Sequence, residues 1–60
     1  MELKERFLKI YANLPLGLRK ETILVFEKEP VTWNAAYMEV QNDTDKSKRM
    51  LKRFEELGLI

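Results

Sequence analysis

Neither cysteine nor histidine occurs anywhere in the sixty residues of this chain, and that absence constrains the fold more than any residue present. A domain of this length sits near the lower limit for folding alone, where a hydrophobic core leaves only ~3–5 kcal/mol of net stability. Small domains commonly add disulfides or a structural zinc, which draw on the missing residue types. This chain must rely on packing quality or on a partner chain, and a homodimer is the expected assembly.

Charged residues make up 35% of the chain, yet Lys+Arg 11 against Asp+Glu 10 leaves a formal net charge of +1. Bulk charge therefore points to no polyanionic or acidic partner; only the local distribution can. One Ser, one Gln and no Cys among many Lys and Glu lean towards a thermophilic source. No apolar run approaches the ~20 residues of a membrane span. The opening MELKER lacks the apolar region of a signal peptide, so a soluble, cytoplasmic protein is expected.

Leu3, Phe7, Ile10, Tyr11 and Leu14 recur at helical spacing, which predicts a helix from about Glu2 to Asn13. Residues 1–14 form the N-terminal segment of a single domain, and its stripe of Leu3, Phe7, Ile10 and Tyr11 is a candidate dimer surface. The competing role for that stripe is cover for the protein's own core. Thr22-Ile23-Leu24-Val25-Phe26 is β-branched and aromatic enough for a short strand. A helix from about Leu18 to Lys28 fits the same letters and is the preferred reading, because nothing nearby reads as a second strand. Pro30 ends that segment.

Thr32 is a plausible N-cap for the next helix, in which Trp33, Ala36, Tyr37 and Val40 follow at i, i+3, i+4 and i+7. That spacing favours Trp33 and Tyr37 as core aromatics over base-stacking or partner-anchoring ones. Thr44 or Asp43 caps a last helix whose Met50, Leu51, Phe54 and Leu57 form the buried stripe. Gly58 stands where a glycine stops a helix. The sum is an all-α fold, a small three- to four-helix bundle.

On a helical wheel Lys46, Arg49 and Arg53 lie along one shoulder of the last apolar stripe, and Lys48 and Lys52 lie on the outer face. Phosphate contact and major-groove docking need a positive helix of this kind. A solvated face with lysines for solubility is the plainer reading of the same charges, with Arg49 merely pairing with Asp45 one turn back.

Order and spacing add to this. The run TWNAAYMEV, a three-residue turn and a basic helix ending LKRFEELGLI resemble the core of a winged helix-turn-helix DNA-binding domain of archaeal and bacterial transcription regulators. The likeness covers residues 16–60. It implies that residues 44–57 are a recognition helix for double-stranded DNA. Arg49 would read guanine, and Thr44, Lys46, Lys48, Lys52 and Arg53 would supply further contacts, mostly to phosphate. Three departures stand beside the likeness. The turn carries Gln41 and Asn42 where the family has a glycine and an apolar residue. Ser47 replaces a buried aliphatic side chain, and with the chain ending at Ile60 no wing hairpin is expected.

A helical self-association or protein-docking module with no nucleic-acid role is the alternative. Catalysis is not expected. No histidine or cysteine is available as base or nucleophile, and Ser47 has no histidine to activate it. DTDKS begins like a calcium loop but lacks the central glycine and the terminal glutamate, with Phe54 at the twelfth position. Neither a metal nor a cofactor is therefore expected.

Overall fold

The computed structural model describes residues 2–60; Met1, at the start of the N-terminal segment, lies outside them. Helix α1 spans Leu3–Ala12, strand β1 Thr22–Phe26, strand β2 Glu29–Thr32, helix α2 Trp33–Gln41 and helix α3 Asp45–Glu56, with a 3₁₀ turn at Leu18–Lys20. Three helices and a two-stranded antiparallel sheet make a mixed α/β fold. The expected all-α bundle is thereby corrected, as is the helix expected over residues 18–28.

Three local features hide the hairpin from a reading of the sequence. Its loop is two residues long, Glu27 and Lys28, both at positive φ (51° and 69°). That is the pattern of the tight turns whose twist matches paired strands, but Asn-Gly or Asp-Gly normally marks them. The second strand, Glu-Pro-Val-Thr, is only four residues long and contains a proline. A proline is tolerated because a strand of a two-stranded sheet always has one unpaired edge. Lastly, the register slips between Thr22 and Leu24. The extra residue breaks strict alternation, so Ile23, Leu24 and Phe26 all pack on the core while Val25 stays exposed.

The left-handed turn is strained for side chains with a Cβ, at a cost of ~1–2 kcal/mol per residue, partly offset in glycine by its greater freedom when unfolded. Lys28→Gly is expected to raise stability by about 1 kcal/mol, or roughly 4–8 °C in Tm for a domain this small. Thermal melting followed by circular dichroism checks this.

Thr32 caps α2 as expected, and of the two candidates Thr44 and Asp43 it is Thr44 that caps α3. The Thr32 hydroxyl accepts the Ala35 N–H at 3.0 Å, so the last residue of β2 also starts α2. Thr44 accepts the Ser47 N–H at 3.0 Å. At the far end Gly58 adopts φ 75°. There the Leu59 N–H reaches the Phe54 carbonyl at 2.9 Å and the Gly58 N–H the Glu55 carbonyl at 3.0 Å. This pair of bonds satisfies carbonyls that a helix end leaves open, and it turns Leu59 and Ile60 back onto the core.

Phe7, Val31, Ala36, Val40, Met50, Leu51 and Phe54 form the core, with contributions from all three helices and from β2. Phe7 lies at its centre: its ring centroid is 5.8 Å from that of Phe54 and 5.8 Å from that of Trp33. Trp33 and Tyr37 pack against the same cluster. Lys4–Asp43 at 2.8 Å and Arg6–Glu55 at 3.1 Å tie α1 to the turn before α3 and to its end. Both pairs are exposed enough to contribute little beyond orientation.

Candidate nucleic-acid interface

A three-residue turn, Asn42 to Thr44, joins α2 to α3. Asp43 holds its left-handed position at φ 49°, a conformation that aspartate tolerates better than most residues. The left-handed residue of this turn is thus Asp43, not Gln41 or Asn42. Ser47 is 2% exposed. Its hydroxyl donates to the Thr44 carbonyl at 2.6 Å while its N–H donates to the Thr44 hydroxyl. The cap therefore satisfies the polar group that α3 buries, and no desolvated hydroxyl is left over.

The buried face of α3 is Ser47, Met50, Leu51 and Phe54. Lys48, Arg49, Lys52 and Arg53 are exposed on the remainder of the helix. The structure separates the expected DNA-contacting residues into three groups. Lys46 pairs with Glu29 at 3.6 Å, Arg49 with Glu27 at 3.1 Å and Arg53 with Glu56 at 3.8 Å. Lys48 and Lys52 make no ion pair among the described residues. Thr44 is occupied by the fold: its hydroxyl caps α3 and donates to Glu39 at 3.2 Å.

The sequence offers Asp45, one turn back on the same helix, as the partner of Arg49. In the structure Arg49 instead reaches Glu27, and Glu29 takes Lys46, so the hairpin tip lies along the basic shoulder of α3. Only the strand pairing brings these acids there, and no signal within either segment points to Glu27 or Glu29 as part of the site.

On α1, Phe7 is fully buried in the protein's own core, and Leu3 and Tyr11 pack against it. Ile10 is half-buried and is the member of the stripe outside the core cluster. Among the described residues no helix is long and apolar enough to cross a membrane, and no group of three or more acidic, cysteine or histidine residues stands together as a metal set. Comparison of the chain with known protein families, with curated proteins and with solved structures gives no match.

Proposed function

We propose that this protein binds double-stranded DNA through α3, as a small helix-turn-helix regulator with α2 lying behind the reading helix. The observation that carries the proposal is the outer face of α3. Lys48 and Lys52, one turn apart, project from a helix held from behind by the core, and neither forms an ion pair among the described residues. In this reading the two lysines contact phosphate, and Arg49 reads a guanine edge once it exchanges Glu27 for the base. An exposed ion pair of that kind is worth at most ~1 kcal/mol, so a phosphate or a base competes with it readily.

A two-fold pair of chains fits the same proposal. Successive major grooves on one side of a duplex lie ~34 Å apart, and Cα extents of 29 × 26 × 23 Å let two copies stand side by side at that spacing. The second reading, a protein-docking module, draws its support from Leu16, Leu18, Val25, Met38 and Leu57, large apolar side chains left exposed.

Fluorescence anisotropy with a random-sequence duplex at low salt tests the proposal: saturable, salt-sensitive binding is expected, and a flat titration would sink it. The hairpin acids give a second expected outcome. Glu27→Gln with Glu29→Gln removes two negative charges beside the basic shoulder, and affinity is expected to rise about tenfold, with a steeper dependence on salt as Lys46 and Arg49 join the phosphate contacts.

A further inference from the structure

The C-terminal half of α1, the 3₁₀ turn and the outer flank of α2 border an open cleft of about 430 Å³, lined by Leu8, Tyr11, Ala12, Arg19, Tyr37 and Gln41. Its size lies within the range of small-molecule sites, and none of its lining residues belongs to the basic helix. The arginine that lines it differs from the other three. Arg6 holds Glu55, Arg49 holds Glu27 and Arg53 holds Glu56. Arg19 alone has no carboxylate partner among the described residues. It is also part-buried, with Nη2 donating to the Tyr11 carbonyl at 3.1 Å and Nε buried without an acceptor.

A part-buried cation answered by a neutral carbonyl and an aromatic ring, but by no carboxylate, gains when an anion joins it. Here the cation is nevertheless held still. Its guanidinium carbon lies 4.4 Å from the centre of the Tyr11 ring, a cation–π contact. Tyr11 is itself fixed, stacked on Tyr37 with centroids 4.1 Å apart and planes within 7°, its hydroxyl donating to Asn34 at 2.6 Å. A planar, preorganised guanidinium is suited to a carboxylate, whose two oxygens match its fork of N–H donors. The walls beside it include Leu8, Ala12 and Tyr37, which favour an apolar, flat body over a fully hydrated ion.

We infer that this cleft is a binding site for a small carboxylate with an aromatic or similarly planar apolar body, the carboxylate on Arg19 and the body against Leu8, Ala12 and Tyr37. The site is separate from α3, and the inference stands whether or not the protein binds DNA.

Amide ¹H–¹⁵N spectra of the intact chain, titrated with sodium benzoate, benzyl alcohol and inorganic phosphate in turn, test it. Benzoate is expected to give saturable shifts at Tyr11, Ala12, Arg19, Tyr37 and Gln41, with benzyl alcohol and phosphate each weaker by at least about tenfold for want of the charge or of the apolar body. Arg19→Gln is expected to lower benzoate affinity by a similar factor. The inference is overturned if benzoate gives no saturable shift, if its shifts map to the lysines of α3, or if benzyl alcohol or phosphate binds as tightly. It is equally overturned if folded Arg19→Gln binds benzoate like the parent. Should that variant not fold, the three-ligand comparison on the parent protein decides the question.

Discussion

Phe7→Ala is expected to leave the chain unfolded at room temperature. Truncating a buried phenylalanine costs ~3–5 kcal/mol, the forfeited transfer energy plus the cavity that remains. A domain this small has only ~3–5 kcal/mol of net stability to lose. Phe7 is 0% exposed and packs its ring against Phe54, Trp33 and Tyr11, so no neighbour on a single element can close the void. Urea unfolding followed by circular dichroism checks the prediction: a cooperative transition with a midpoint near that of the parent would refute the central role given to this ring. The contrast with Ile10 is informative. Ile10→Asp places charge at a half-buried position outside the core cluster and is expected to leave the monomer folded. Any change it makes in sedimentation reports on assembly through α1, which a substitution at Phe7 cannot do.

The second large effect concerns α3. Lys48→Glu combined with Lys52→Glu is expected to weaken duplex binding at least about a hundredfold at low salt. The same change is expected to reduce the slope of log affinity against log salt by about two, one for each lysine taken off a phosphate. Both side chains are exposed and unpaired among the described residues, so stability should change by no more than ~0.5 kcal/mol. Anisotropy titrations over a series of salt concentrations measure both quantities on folded protein. Binding that survives the double reversal, with its salt slope intact, would move the interface off α3. An increase on changing Glu27 and Glu29 alongside a decrease on changing Lys48 and Lys52 would give the face its polarity, hairpin acids restraining one shoulder and lysines driving contact on the other.

The helices are legible in the sequence because their signals are local. Spacing of Leu3, Phe7 and Tyr11, hydroxyl caps at Thr32 and Thr44, and Gly58 at a left-handed stop each act within one or two turns of chain. The hairpin is not legible because its evidence is spread over two segments, neither conclusive alone. Glu27-Lys28 lacks the residues that favour positive φ, Pro30 argues against a strand, and the slip at Ile23 blurs the alternation of β1. What makes Thr22–Phe26 a strand is the presence of residues 29–32 beside it, together with a core that buries Val31 at 4% exposure. The candidate site divides in the same way. Lys48 and Lys52 can be placed on the outer face from a helical wheel, whereas the acids on Arg49 and Lys46 arrive from a hairpin that no wheel contains.

Periodicity and capping chemistry are properties of adjacent residues, so the order of amino acids alone established α1, α2 and α3, their ends, and the basic surface of the last. Pairing is a property of segments that meet only after the chain has turned. Tertiary structure therefore decided that residues 22–32 form a hairpin, that Phe7 is buried within the monomer, and that Arg19 faces a cleft with no carboxylate among the described residues to answer it.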